Sequence, residues 1–211
     1  MKIALINGSP KAEGSASGIL LEDLKRHFSG ETEVLEMDMR KNSVPEDLIK
    51  ELEDAGVWVF AAPLYVDSIP SHLLSCLVQL ERVPWQRSCE RLIYGMVNCG
   101  FYEGVQAELA LAVLRNWCAK AGFSWGGGIG VGGGGSLAAM PETKPGKGPK
   151  APIHKALDAL AGQILEGETQ ENVYVTIAFP RVLYKLAAQL GWRQMVKANG
   201  GKAQDLGKQL E

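Results

Sequence analysis

The sequence predicts a doubly wound α/β domain: a parallel sheet with helices packed on both of its faces. Three observations lead there. Short apolar runs alternate with longer segments of helical period along most of the chain. Several of the runs are apolar on both faces, as strands covered from each side are. The least ordinary loops follow directly after the runs that end near residues 7, 62 and 98, and sheets of this class bind ligands beyond the carboxyl ends of their strands.

In chain order, KIALIN (2–7) reads as the first strand. Residues 16–28 form the first helix, with Leu20, Leu24 and Phe28 at a spacing of four. EVLEMD (33–38) and VWVFAA (57–62) read as the second and third strands, and a further helix runs through residue 81 with Asp67 and Ser68 as its cap. LIYGMVNC (92–99) is the fourth strand. The helix at 104–121 carries Ala110, Val113, Leu114, Trp117, Cys118 and Ala121 on one stripe. SWGGGIGVGG (124–133) is the fifth strand, and 153–166 and 181–198 are helical. With right-handed crossovers and the first run central, five strands take the order 2-1-3-4-5. We expect one domain over 1–178 and a helical extension over 179–211, packed on that domain or on a dimer partner. The stretch AAMPETKPGKGPKAP (138–152) holds four prolines and three lysines with no apolar period, so it reads as a loop, either a lid over the strand ends or a plain connector.

Composition narrows the function. The chain has 211 residues, 46% hydrophobic and 22% charged, with a net charge of −2. It is long enough for a sizeable core, and its charge gives no field that would recruit nucleic acid. Cys76, Cys89, Cys99 and Cys118 form no C-x-x-C pair and have no matching His pairs, which argues against a zinc site and a disulfide framework and fits a reducing cytoplasm. The opening strand is too short for a signal peptide, and no apolar stretch approaches the ~20 residues needed to span a bilayer.

The loop NGSPKAEGSAS (7–17) is longer than a turn requires, and it leads from a buried strand into a helix. The first amides of that helix and its positive dipole end form an anion site. Gly8 and Gly14 let the backbone bend toward a ligand, and the hydroxyls of Ser9, Ser15 and Ser17 can donate to phosphate oxygens. A Walker loop is excluded, because five residues separate Gly8 from Gly14 and Ser15 stands where Lys is required. Gly128, Gly130 and Gly133 match G-x-G-x-x-G formally, but the sequence shows no helix opening there. The remaining fit is a terminal phosphomonoester held by hydroxyls and amides without metal. The competing reading is that Ser15 or Ser17 only caps the helix.

Together with APLYVDSIPSHL (62–73), the NGSPK-x-x-GSAS loop resembles the flavodoxin-like NAD(P)H-dependent FMN reductases and their quinone-reductase relatives. The likeness runs over about residues 1–135, and the tail FPRVLYKLAAQLGWRQMVKANG (179–200) is similar to the ending of some bacterial members. The resemblance implies a flavodoxin-like fold and FMN held non-covalently. Its phosphate would lie on Ser9, Lys11, Ser15, Ala16 and Ser17. Pro63, Leu64, Tyr65 and Val66 would lie along the isoalloxazine ring, and NCGFYEG (98–104), through Asn98, Cys99, Gly100 and Tyr102, would close its other edge. NAD(P)H would reduce the flavin, and a quinone, nitro compound or free flavin would take the electrons. No side chain is then needed as a catalytic acid or base, and the usual assembly is a cytoplasmic homodimer. The residues themselves agree in part: Pro63 and Tyr65 put a rigid turn and a flat ring at a strand end, and the amides of Leu64, Tyr65, Cys99 and Gly100 are candidate donors to a polar ring edge.

Other chemistries fit less well. CLVQLER (76–82) spells the C-x5-R of a cysteine phosphatase, but Leu77, Val78 and Leu80 mark it as helix and Glu81 would repel the substrate. A receiver domain needs an acidic pair after the first strand, where Asn7-Gly8 stands. A one-electron carrier of the flavodoxin type is the main rival, and carriers that dock by charge are usually strongly acidic. The third possibility is a binding protein that has kept the fold without flavin.

Overall fold

The structure is a computed structural model that describes residues 1–85, 90–140 and 147–208. Cys89 and the middle of the 138–152 loop lie outside the described residues. The chain divides into two compact units, Met1–Ile177 and Ala178–Glu211.

The first unit is built on a parallel sheet of strands β1 (Lys2–Asn7), β2 (Glu33–Asp38), β3 (Val57–Pro63), β4 (Leu92–Asn98), β5 (Ser124–Val131) and β6 (Val173–Val175). Their order is β2-β1-β3-β4-β5-β6. The five strands and the 2-1-3-4-5 order read from the sequence are present, but the sheet has six strands, a correction to the expected count. The sixth is three residues long, VYV. It opens the run VYVTIAF (173–179), which the sequence reading passed over, and pairs to Ile129–Val131. An irregularity at Ile93/Tyr94 makes Gly126 the extra residue of β5, a β-bulge in the glycine-rich run.

Helices α1 (Ala16–Lys25) and α5 (Ala151–Glu166) pack against each other. The alternating side chains Ala4, Ile6, Trp58, Phe60 and Ala62 point to the opposite face. They form one cluster with Leu52 of α2 (Glu46–Glu53), Leu73 and Leu77 of α3 (Ser71–Leu80), and Leu111 and Trp117 of α4 (Glu108–Ala121). Trp58, Phe60, Trp117 and Phe123 meet there edge to face, with centroids 5.2–6.4 Å apart. Helix α2 has only eight residues and buries only Leu52, so its sequence signal is weak. The 104–121 segment divides into a 3₁₀ turn (Gly104–Ala107) and α4. A second 3₁₀ segment, Gly134–Ala139, does open after β5, where the sequence suggested no helix; no α-helix follows it.

The second unit holds α6 (Arg181–Ala198) and a 3₁₀ turn (Ala203–Gly207). Helix α6 buries no residue. Among the described residues, no helix is long and apolar enough to cross a membrane.

Candidate functional site

β1, β3 and β4 are neighbours in the sheet, so the loops that follow them meet at its carboxyl edge. Backbone bonds tie them together: Gly8 N–H donates to Ala61 O (2.8 Å) and Leu64 N–H to Asn98 O (2.8 Å). A side-chain bond links the first loop to the third, with the Ser17 hydroxyl donating to Asn98 Oδ1 at 2.7 Å. Every segment expected at the site is therefore brought to one place.

The first loop is braced from below. Asn7 Oδ1 accepts from Ser9 N–H (3.1 Å), Ser9 Oγ accepts from Lys11 N–H (3.3 Å), and Ser15 Oγ caps α1 by accepting from Gly18 N–H (3.0 Å). Gly14 turns the chain with φ +60°, a conformation that glycine adopts without strain. Ser9, Ser15 and Ser17 are all buried. The backbone N–H groups of Ala12, Glu13, Gly14, Ser15, Ala16 and Ser17 have no acceptor among the described residues. Those of α1 point out of its positive end. The first amides of a helix have no intrahelical acceptor, and those of Ser15–Ser17 are open to an acceptor from outside the chain. The capping expected of Ser15 is present, beside amides without a protein acceptor. Ser15 does the capping with its lone pair, and the hydroxyl hydrogens of Ser9 and Ser15 stay available.

Two expectations need correction. The Ser17 hydroxyl is spent on Asn98, so Ser17 can offer a phosphate only its amide. The amides of Leu64, Tyr65 and Cys99, expected to face a ligand, donate instead to Asn98 O, Ser68 O and Val131 O. The reason is the sheet itself: strand ends this close satisfy each other before any ligand arrives.

The second loop is a tight hairpin. Tyr65 and Ser68 exchange both backbone hydrogen bonds (2.8 and 3.1 Å). Val66 (φ 49°) and Asp67 (φ 58°) occupy the left-handed central positions, the pattern of a type I′ turn. Asp67 and Ser68 therefore do not cap α3, whose N-cap is Pro70 without a side-chain bond. Tyr65 is half exposed and Val66 is 97% exposed; the turn pushes both outward beside Pro63.

In the third loop Asn98 and Cys99 are buried, while Gly100 and Phe101 are exposed. Burial pushes the Cys99 thiol above its ordinary pKa. Its Sγ lies 3.7 Å from Phe101 O and 3.6 Å from Glu103 O, so it acts as a packed small side chain rather than a nucleophile. Cys76 is likewise buried in α3, with its thiol bonded to Lys41 O and its pKa raised by burial, which disposes of the phosphatase motif. Behind the loop, a Cβ at Gly132 would fall 2.0 Å from Tyr102 O, so the two backbones touch.

Three contributors were given no binding role in the sequence reading. Asn7 holds Ser9, Arg40 Nη1 donates to Ala12 O at 3.3 Å, and His72 Nε2–H donates to Gly8 O at 3.1 Å. Asn7 and Arg40 could have been found by searching the ends of β1 and β2 as closely as the loops. Beside the first loop, between α1 and the end of β2, lies a depression of about 360 Å³. Its lining includes Ala12, Glu13, Gly14 and Ser15 of the loop itself, with Glu22, Asp23, Arg26 and Asp38.

No family model matches the chain, and no curated protein matches it. Solved structures do. An NADH:FMN oxidoreductase in its apo form superposes with a TM-score of 0.60 at 14% identity, over 81% of this chain and 91% of that one. A flavodoxin from Streptococcus pneumonia TIGR4 gives 0.56 at 8% identity, over 79% and 99%. An FMN-dependent NADH-azoreductase from Bacillus anthracis, in complex with FMN, gives 0.54 at 14% identity, over 77% and 98%. At these identities the likeness is one of fold. Topology, loop placement and superposition agree: the sheet and its helices are flavodoxin-like.

Proposed function

We infer that this protein is an FMN-dependent oxidoreductase that takes reducing equivalents from NAD(P)H and delivers them to a small acceptor such as a quinone, a nitro compound or free flavin. The observation that carries this reading is the row of unpaired amides from Ala12 to Ser17, set at the carboxyl edge of β1. It fits a terminal phosphate in number, polarity and place. FMN, when bound, supplies the hydride and electron chemistry that no side chain here provides.

The chain's own residues bind and orient. Ser9 and Ser15 offer hydroxyl hydrogens, and Ala16 and Ser17 offer amides. Exposed Lys11 adds a cation beside the dianion. Pro63, Leu64, Tyr65 and Val66 form one wall for a planar ring, in which the half-exposed face of Tyr65 supplies apolar surface. Asn98, Cys99, Gly100 and Tyr102 form the other wall. The Ser17–Asn98 bond holds the phosphate loop and the ring edge at a set separation, which favours a ligand of one length. Exposed Leu74 and Val78 on α3 and Leu109 on α4 are apolar side chains available to the homodimer contact we assign, and we assign the protein to the cytoplasm.

A one-electron carrier is the second reading, favoured by the flavodoxin among the structural neighbours. The modest net charge of −2 supports a reductase instead. The test is to release the ligand from purified protein by heat and identify it by mass. FMN is expected, with rapid NAD(P)H oxidation when a quinone is added. A yellow protein without that turnover selects the carrier. A colourless protein that refuses added FMN overturns both readings.

A further inference from the structure

At the root of the first loop, both peptides that flank Gly8 are fully bonded. Asn7 O accepts from Met39 N–H (2.8 Å), and Gly8 N–H donates to Ala61 O (2.8 Å). Ser9 N–H donates to Asn7 Oδ1 (3.1 Å), and Gly8 O accepts from His72 Nε2–H (3.1 Å). The first two bonds continue the sheet and the third is local. The fourth comes from a side chain 64 residues away, on the first turn of α3. The next residue of that helix, Leu73, is fully buried and lies against the same glycine, where a Cβ would fall 2.6 Å from Leu73 Cδ2. His72 and Leu73 together hold Gly8 by its oxygen and by its Cα.

What the His72 bond does follows from the charge of a carbonyl. Its oxygen is the negative end of the peptide dipole and repels a phosphate, whereas amides attract one. A backbone cradle for an anion therefore works only with its carbonyls turned aside. Gly8 begins the run that leads to the open amides of Ala12–Ser17, so the direction of its carbonyl sets the direction in which the loop departs. His72 fixes that direction. A carbonyl only accepts, so it is Nε2 that carries the proton. Arg40 makes a comparable bond to Ala12 O, but at 3.3 Å and from an exposed side chain already paired with Asp38.

We propose that His72 is a positioning residue for the ligand's terminal phosphate: it turns the Gly8 carbonyl away from the anion and so makes the site discriminate FMN from riboflavin. The inference rests on the FMN reading. Dissociation constants of FMN and riboflavin are to be measured by flavin fluorescence quenching for the whole chain and for His72→Ala, His72→Asn and His72→Gln. The amide nitrogen of glutamine stands about where Nε2 does, and that of asparagine about where Nδ1 does, so only glutamine reaches Gly8 O. The ratio of the riboflavin constant to the FMN constant is expected to fall about tenfold in His72→Ala and His72→Asn, and to return in His72→Gln. An unchanged ratio in His72→Ala overturns the proposal. Equal weakening of both flavins also overturns it, since a histidine that only supports the fold would act on both alike. If His72→Ala does not fold, the other two variants decide, and equal ratios in them overturn the proposal. Wild-type protein that binds FMN no more tightly than riboflavin sinks the phosphate assignment and this proposal with it; tight FMN binding with an unmoved ratio sinks the proposal alone.

Discussion

Ser17 and Asn98 are 81 residues apart in sequence and share a buried hydrogen bond of 2.7 Å. One begins the helix after β1 and the other ends β4. The bond takes a hydroxyl expected to face a phosphate and turns it into a strut between two loops. Removing either partner leaves the other buried and unpaired, at a cost of about 1–3 kcal/mol. Ser17→Ala and Asn98→Ala should each lower the urea midpoint, and the double variant should lose less than the sum of the two. An additive double variant would mean that the bond carries no coupling.

Gly14→Ala tests the anion cradle. Open space surrounds Gly14, and its φ is +60°, so the added methyl meets no atom and the penalty is purely one of backbone shape, about 1–2 kcal/mol. If the loop is reshaped to relieve it, FMN affinity falls by about tenfold. Quenching of flavin fluorescence on titration measures this. Unchanged affinity would place the phosphate elsewhere.

Val66 is the opposite case, a β-branched residue at φ 49° with its side chain almost fully in solvent. Glycine there relieves about 1–2 kcal/mol of strain and returns part of it as unfolded-chain entropy. Val66→Gly should raise stability by about 0.5–1 kcal/mol with an unchanged denaturant slope. A fall in stability would show that the exposed side chain makes a contact in solution.

Gly132→Ala should do the reverse. Its Cβ would sit 2.0 Å from the Tyr102 carbonyl, and both partners are backbone, so neither can swing away. A loss at or above the upper end of about 1–3 kcal/mol is expected, together with weaker FMN retention, because the displaced segment is the third loop. Urea unfolding and flavin content read the two effects separately.

Alkaline pH should destabilise the protein through two buried groups. Burial pushes Cys118 from 9.0 to about 12 and Tyr94 from 10.0 to about 12. Tyr94 also donates to Glu168 O at 2.7 Å and Gln163 O at 3.3 Å. Above pH 9 for the thiol and pH 10 for the phenol, the unfolded chain loses protons that the folded one keeps. The stability these groups contribute is therefore intact below those values and is lost as pH rises toward 12. Each adds a slope of up to about 1.4 kcal/mol per pH unit in its window. Urea midpoints from pH 8 upward should fall accordingly, and Tyr94→Phe with Cys118→Ala should flatten the fall.

The sequence by itself determined the doubly wound class, the order of five strands, and the three loops where function had to be sought. It could do so because burial on both faces and helical period are local patterns, and because ligand sites follow strand ends in such sheets. Only the tertiary structure decided how the polar groups are spent. Ser17 turned to Asn98, the amides of Leu64, Tyr65 and Cys99 closed on neighbouring carbonyls, and Asn7, His72 and, from outside the expected segments, Arg40 bonded to the first loop. β6 likewise gains its place as a sixth strand by pairing to β5. A hydrogen bond depends on which donor reaches an acceptor across tens of residues, and no local pattern carries that information.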